Sequence, residues 1–544
     1  GDFQLTMLSA PVADPEQIAN FFSGGRVVKI IKAQADKKIE IKVINPQPEA
    51  IDEKIMSKIF SSKETAARVR TVMELIKNSR ATLTFTNTRD FAEILASRIR
   101  NIDKKFPAAI HHSSLSKEVR INAEKDFKEE RLKSLIATSS LQLGIDIGAV
   151  DLVIQYMSPR QVTQLVQRTG RSGHTLLKIS KSIIIATDED DIFESAVIAR
   201  KALRGELETI IPHENSYDVL AHQIIGLTFD FGKIELEKAY NIIKRAYPYR
   251  NLTYQEFLEV CKQLERIGLI FMDDGIKKRI RGFQYYFENL STIPSIKQYR
   301  IFNIVDRTIV GVLDEEFVAV HGEPGTKFLV KGQPWRIISV DGDKVTVEPI
   351  EDSDAAVPGW EGELIPVLYD VAQEVGAARR LIAESLAKMS EKNVMKVIQE
   401  KYPVDDNSAK QMIKTIKSQL KFGVVPDDKT ILVEDYENLV IIHTCFGNNL
   451  NETLGRFVVA LLTSRLGSVG LKTDAYRIMI QFQKKNVDLL KEVLYETNPD
   501  HLQSYLEMSL TNSELFAWKF VHVAKRFGAI TRDADFGKVR MKRI

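Results

Sequence analysis

Cysteine is nearly absent: the 544 residues hold only Cys261 and Cys445. Two thiols cannot build a disulfide framework or a thiolate zinc site, so the composition suits a reducing interior, and a cytoplasmic location is the expectation. Long apolar runs are also missing. Stretches such as residues 183–187 and 439–442 fall far short of the roughly 20 residues a membrane-spanning helix needs, so no bilayer crossing is expected. Neither sign of charge dominates, because 76 Lys plus Arg against 73 Asp plus Glu leave +3. Any surface for a polyanion must therefore be local. No repeat of solenoid period is evident. What remains is an ordinary globular composition, 44% hydrophobic and 27% charged with 28 Gly and 17 Pro, at a length that predicts roughly three to five domains.

The pattern along the chain is multidomain, α/β followed by α+β. Gly1 leads straight into a strand-like run over residues 3–12 with no leader pattern, so more chain is expected upstream. Asp14 before Pro15 predicts a capped helix that Gly24-Gly25 ends. Residues 26–50 carry β-branched clusters at 27–31 and 39–44 that read as two strands or extended segments, end at a Pro46-Gln47-Pro48 breaker, and together form an expected linker. Over 51–190, helical patterns (53–77, 90–103, 116–129) alternate with buried-strand runs (81–85, 108–110, 134–137, 152–155, 182–186). That rhythm predicts a parallel sheet covered by helices on both faces. Residues 191–290 follow the helix, helix, β-hairpin order of a winged helix, with Thr253 and Glu256 as a capping box, Gly268 closing that helix, and a basic aromatic run over 277–287 on the hairpin. A small antiparallel, barrel-like β part is expected over 291–366. A helical region follows over 367–544, interrupted by a strand pair near 431–443.

The loops that follow the parallel strands are polar. They read Thr86-Asn87-Thr88-Arg89, His111-His112-Ser113-Ser114, Thr138-Ser139-Ser140, and the 167–174 segment Gln167-Arg168-Thr169-Gly170-Arg171-Ser172-Gly173-His174. Hydroxyls, helix-start N–H groups and guanidinium forks all donate to phosphate oxygens, so these loops can grip a nucleic-acid backbone or a triphosphate. Any one of them could equally be helix capping. Lys277, Lys278, Arg279 and Arg281 with Tyr285 and Tyr286 combine cations with aromatic rings, as expected for an unpaired strand, or else form a solvated edge. Trp335 and Trp360 read either as base stackers or as core. His443 with Cys445 lacks the partners of a metal site, and no metal ligands are predicted. The tail residues Lys538, Arg540, Lys542 and Arg543 read as a solvated end.

These motifs resemble superfamily 2 helicases. Thr82-Leu83-Thr84-Phe85-Thr86-Asn87-Thr88-Arg89 is similar to motif IV, Ala137-Thr138-Ser139-Ser140-Leu141-Gln142-Leu143-Gly144-Ile145-Asp146-Ile147-Gly148 to motif V, and Gln167–His174 to motif VI. Leu8-Ser9-Ala10 looks like the remnant of motif III. Within that superfamily the chain resembles the large helicase-related (Lhr) family, also through Pro358-Gly359-Trp360-Glu361-Gly362-Glu363 and His443-Thr444-Cys445-Phe446-Gly447 with Asn451-Glu452-Thr453.

The resemblance implies a RecA-like second motor domain (51–190), preceded by a remnant of the first (1–25), and Lhr C-terminal core beyond the winged helix. It implies ATP and Mg2+ as cofactors, with Arg171 as the arginine finger, Arg168, Gln167 and His174 as further catalytic groups, and Gly144, Asp146 and Arg171 as nucleotide contacts. Thr86, Asn87, Arg89, His112, Ser113, Thr138, Ser139, Lys277, Lys278, Arg279, Arg281 and Tyr285 would bind single-stranded or forked nucleic acid, DNA or RNA. His174 stands where many relatives carry Arg, and Pro11 where Thr follows Ser-Ala. The sequence contains no Gly-x-x-x-x-Gly-Lys-Ser/Thr loop and no Asp-Glu-x-His box. The expectation is thus a helicase working 3′ to 5′ once a first motor domain of the same protein is its partner, with negligible ATP hydrolysis by these residues alone. The competing reading is an ATP-independent nucleic-acid clamp or annealing module. A metabolic phosphate-binding enzyme would leave the winged-helix pattern unexplained.

Overall fold

Six short strands form an all-parallel sheet: β1 (Ile39–Ile44), β2 (Thr82–Phe85), β3 (Ala108–His111), β4 (Ser134–Ala137), β5 (Leu152–Tyr156) and β6 (Ser180–Ile185), in the order β1-β6-β5-β2-β4-β3. β2 and β4 are buried at every position, and alternate side chains feed opposite faces. Leu83, Phe85, Leu135 and Val153 pack with Phe127 and Leu141 on one face. Ile136 and Ile154 pack with Val69, Val72 and Ile76 on the other. The covering helices include α2 (Asp52–Ile59), α3 (Lys63–Asn78), α4 (Arg89–Ile102), α5 (Lys117–Lys128), α6 (Val162–Thr169) and α7 (Glu189–Arg204). Ser62, Thr88, Ser116 and Asp188 cap α3, α4, α5 and α7 by accepting the N–H three residues on.

This computed structural model describes residues 4–32, 38–142, 147–173, 179–292, 298–314, 317–318, 322–330, 333–350, 365–467, 469–482, 487–511 and 514–531. They fall into two units, one of residues 34–208 and 296–496, the other of residues 1–33, 209–295 and 497–544. Among the described residues no helix is long and apolar enough to cross a membrane.

In the first unit, the 39–44 cluster is a strand as read, but it belongs to the sheet and not to a linker: Ile39–Ile44 is the edge strand β1, paired from Ile39↔Ser180 to Ile44↔Ile185, with Ile41 and Val43 buried. Val43 is also tied to a distant segment, donating to the Pro403 carbonyl at 2.8 Å and accepting from Asp405 N–H at 3.0 Å. Five strands follow, β10 (Gln298–Asn303), β11 (Ile309–Asp314), β12 (Lys327–Val330), β13 (Gln333–Asp341) and β14 (Lys344–Pro349), ordered β11-β10-β14-β13-β12. They are antiparallel except for the parallel pair β10 and β14. β11 docks on the loop after β3: Val312 N–H donates to Ser114 O at 2.8 Å and Ser116 N–H to Val310 O at 3.2 Å. Helices α12 (Tyr369–Leu386), α13 (Glu391–Lys401) and α14 (Asp406–Leu420) share a core with α7 that includes Phe193, Val197, Val375, Ile382 and Met412. The strand pair expected near 431–443 grows to a four-stranded antiparallel sheet, Leu432–Tyr436, Leu439–His443, Gly470–Thr473 and Arg477–Gln481, packed on α15 (Gly447–Leu466).

The second unit is a winged helix: α8 (Tyr217–Phe231), β7 (Lys233–Ile234), α9 (Leu236–Lys244), α10 (Tyr254–Arg266), β8 (Ile270–Met272) and β9 (Ile276–Lys278), with strand order β7-β9-β8. The Thr253/Glu256 capping box is formed on α10. Three helices rather than two precede the hairpin, and the hairpin ends at Lys278. Residues Ile280–Glu288 form a helix, α11, where the sequence suggested strand. Its aromatic positions recur at three and four, the helical spacing, and Gly282 lets it approach closely, since a Cβ there would lie 2.5 Å from Leu269 O. Asp14 caps α1 (Pro15–Ser23) from Gln17 N–H at 2.9 Å, and Phe21 lies 6.1 Å from the Tyr247 ring in the same unit. Of the strand-like run before it, the described residues 4–12 form no strand.

Candidate nucleotide and nucleic-acid interface

The motif loops converge on Arg168, in the last turn of α6. Its side chain is fully buried. Nη1 donates to Gln155 Oε1 at 2.7 Å and Asn87 Oδ1 at 3.1 Å, and Nε to Gln142 Oε1 at 3.3 Å. The guanidinium lies 5.4 Å from the Phe85 ring centroid. One cation therefore ties together the ends of β2 and β5, the motif V loop and α6. Burial pulls it down to about 10, which leaves it charged at neutral pH. Removing it would strand several buried amide oxygens. Arg168, expected among the catalytic groups, is thus enclosed in its own sheet unit with neutral amides as its partners.

The network continues outward. Gln142 Nε2 donates to Gln167 Oε1, and Asn87 Nδ2 donates to the Ser158 carbonyl at 2.6 Å. Gln142 and Gln155 carried no assigned role in the sequence. A glutamine inside a run of apolar strand residues, as in Leu152–Tyr156, was the available signal. Arg171 follows on the turn after α6 and is half-buried. That turn is clamped: Arg171 N–H donates to Arg168 O at 3.0 Å, Ser172 Oγ accepts from Lys181 N–H at 2.9 Å, and Ser180 Oγ donates to Ser172 O at 2.8 Å.

Among the hydroxyl loops, burial separates the candidates. Thr86 is buried and donates its hydroxyl to Thr88 O at 2.9 Å, and Thr138 is buried too. Asn87 and Arg89 are half-buried, and Arg89 Nη1 bonds Ser114 Oγ at 2.8 Å. His112 is fully buried against Glu93 at 2.8 Å, so its expected strand contact is corrected to a core pair. His111 bridges Glu124 at 2.8 Å and Ser140 at 3.0 Å, and burial holds its imidazole below the ordinary value. Ser113 and Ser139 are exposed. Gly144, Asp146, His174, Trp360 and the basic tail lie outside the described residues.

On the winged-helix unit, Lys277 pairs with Asp273 at 2.8 Å and Arg279 stacks on Phe271 at 3.5 Å, whereas Lys278 and Arg281 are exposed. Tyr285 is corrected from base contact to core: it is buried and donates its hydroxyl to the Arg526 carbonyl. The exposed rings of α11 are Phe283 (57%) and Phe287 (52%), 4.7 Å apart. Trp335 is buried with Nε1 donating to Val330 O at 2.9 Å, the core alternative. His443 bonds Glu434 at 2.9 Å. Among the described residues no group of three or more His, Cys, Asp or Glu is placed to hold a metal ion.

Three family models match the chain: the helicase conserved C-terminal domain over residues 67–175, the winged helix domain of the large helicase-related protein over 200–269, and the DEAD/H associated domain over 425–544. ATP-dependent helicase Lhr-Core protein 2 of Thermococcus barophilus is 31% identical over 97% of this chain and 63% of its own length. ATP-dependent helicase Lhr-Core of Methanocaldococcus jannaschii is 32% identical over 96% of this chain and 62% of its own. The chain thus spans about three fifths of the length of these curated relatives. The structure of Mycobacterium smegmatis helicase Lhr bound to ssDNA and AMP-PNP superposes with a TM-score of 0.72 at 24% identity, covering 95% of this chain and 64% of that one, a likeness of fold. Sheet, motif loops and winged helix are the helicase conserved C-terminal domain and winged helix of the superfamily 2 class. Within that class, the chain belongs to the large helicase-related family.

Proposed function

We propose that this chain supplies the arginine finger and the strand-gripping surfaces of an ATP-dependent helicase that moves 3′ to 5′ on single-stranded DNA or RNA in the cytoplasm. The observation that carries the reading is the Arg168 network, which makes the ends of β2 and β5, the motif V loop and α6 one body and sets Arg171 three residues further on a clamped turn. Nucleotide and single strand enter by likeness, since the Mycobacterium smegmatis relative was solved with ssDNA and AMP-PNP. Bound ATP supplies the phosphoryl group whose transfer drives the cycle. A half-buried guanidinium on a fixed turn suits an anion-facing role, so Arg171 faces that group, with Gly144 and Asp146 as further contacts and Mg2+ held by a first motor domain of the same protein. Arg89, Ser113 and Ser139 offer donors to a strand backbone. Lys278 and Arg281 are exposed just ahead of Phe283 and Phe287 in the chain, rings on which unpaired bases stack.

The test compares polypeptides in which these residues follow an intact first motor domain. Arg171→Ala lowers ATP hydrolysis by about 10³-fold or more and abolishes unwinding, while single-strand binding persists. Unwinding that survives this change would sink the reading in favour of an ATP-independent clamp. The 544 residues alone release negligible phosphate with or without a single strand, since the sequence holds neither phosphate-cradling loop nor acidic magnesium box.

A further inference from the structure

The loop between β5 and α6, residues 157–161, departs from ordinary backbone. Met157 and Arg160 both lie in the left-handed region, at φ of +69° and +68°. Residues with side chains adopt that conformation at a cost and keep it only where their surroundings hold them. From the sheet side the loop is held by the amides around Arg168. Gln155 gives its oxygen to Arg168 and its nitrogen, at 3.0 Å, to the Met157 carbonyl. Asn87 likewise gives its oxygen to Arg168 and its nitrogen, at 2.6 Å, to the Ser158 carbonyl. A carboxamide has one accepting and one donating end. The two loop carbonyls therefore decide that the oxygens, and not the NH2 groups, face the guanidinium.

From the other side the loop is held by the C-terminal part of the same unit. Arg160 Nε donates to the Ile365 carbonyl at 3.1 Å and Nη2 to Asn448 Oδ1 at 3.0 Å, and Gln161 Nε2 donates to Pro366 O at 3.2 Å. Asn448 stands in the first turn of α15, inside the 443–453 motif that resembles the large helicase-related family. That motif fixes where Asn448 stands. Thr444 Oγ1 donates to Asn451 Oδ1 at 2.7 Å with both residues buried, and Gly447 N–H donates to Ala475 O at 3.0 Å. Asn448 itself exchanges two bonds with Val367, its N–H donating to Val367 O at 3.0 Å and its Oδ1 accepting Val367 N–H at 2.9 Å.

We infer that Arg160 is a positioning residue for the motif VI arginines and that Asn448 is its seat. The pair holds the loop in its left-handed form, that form keeps two carbonyls against Asn87 and Gln155, and those amides keep their oxygens on Arg168. Every contact in this chain of bonds lies within one unit. The inference rests on the helicase reading and deepens it, because it gives the 443–453 motif a task in the hydrolytic step.

The test uses the polypeptide with an intact first motor domain. Arg160→Gly removes the guanidinium, and because glycine accepts a positive φ without strain, the backbone is not forced out of place. Asn448→Ala removes the seat, whereas Asn448→Asp keeps an accepting oxygen there. Arg380→Ala breaks a two-bond pair with Asp428 elsewhere in the C-terminal part and serves as the control for lost stability alone. In Arg160→Gly and in Asn448→Ala, kcat for ATP hydrolysis falls about 10- to 100-fold with or without an oligothymidylate, while KM for ATP changes less than about twofold, the split expected when transition-state geometry is lost. The double variant is no slower than the slower single one, and Asn448→Asp and Arg380→Ala stay within about threefold of the unaltered chain. Undiminished hydrolysis in Arg160→Gly, losses that multiply in the double variant, or an equal loss in Asn448→Asp or Arg380→Ala would overturn the inference. Arg171→Ala in the same assay separates the two failures. If hydrolysis survives that change, the helicase reading fails; if it collapses while Arg160→Gly is unaffected, this inference alone does.

Discussion

Arg168 and Asp191 show how far a side chain's environment departs from what its letter suggests. The sequence marks Arg168 as part of a phosphate-facing motif, but its enclosure by neutral amides depends on strands that meet only in the folded sheet. The same limit applies to His112 and Tyr285, where motif position and aromatic character said nothing about burial. Asp191 was not singled out at all. It accepts Ser158 N–H at 2.6 Å and Thr187 N–H at 2.7 Å, and burial, aided by the charges of Asp188 and Glu194, pushes its carboxyl up to about 7. The native state thus holds this proton more tightly than the unfolded chain does. Its contribution to stability is complete below the ordinary value of 3.8 and is lost as pH rises through about 7. Asp191→Asn should therefore gain on the unaltered chain between those limits by on the order of a few kcal/mol, as read by denaturant unfolding at several pH values. A stability difference that stays constant across the range would refute this.

At the scale of elements, the parallel sheet and its capped helices were legible because period, burial and capping agree over 51–190. The α10 capping box was legible for the same reason. The extended character of β1 was legible as well, but its place in the sheet was not, because an edge strand far from its partner β6 in sequence carries no local sign of pairing. The helical form of α11 was not legible, because a basic aromatic run directly after a Gly turn reads as the second strand of a wing. Its helical register decides which rings are available. Ile280, Phe283, Phe287 and Leu290 lie on one exposed face, and Tyr285 turns inward. Replacing Phe283 and Phe287 together by Ala should weaken oligothymidylate binding by about 1–3 kcal/mol per stacked base lost. Tyr285→Phe should leave binding unchanged. Fluorescence anisotropy separates the two, and equal losses in both would refute the assignment of α11 rings as the platform.

At the scale of the whole molecule, the sequence shows the order of its parts but not how they join. The β-rich part is attached to the motor sheet by backbone bonds at Ser114, which the sequence offers within a phosphate loop, and at Ser116, the start of α5. Gly311 makes the approach possible, since a Cβ there would sit 2.6 Å from Ser114 O. Gly311→Ala should cost about 1–3 kcal/mol and speed amide exchange at Val312 and Ser116. Unchanged exchange at both would show that the junction does not depend on that contact.

The double attachment of β1 has a consequence for synthesis. Residues 39–44 leave the ribosome before both of their partners: the sheet partner ends at Ile185, and the segment that brackets Val43 ends at Asp405. At about 5–20 residues per second, the interval between those two arrivals is on the order of tens of seconds. Through that interval the nascent motor domain has one margin only partly secured, and a chaperone or another nascent strand has that long to occupy it.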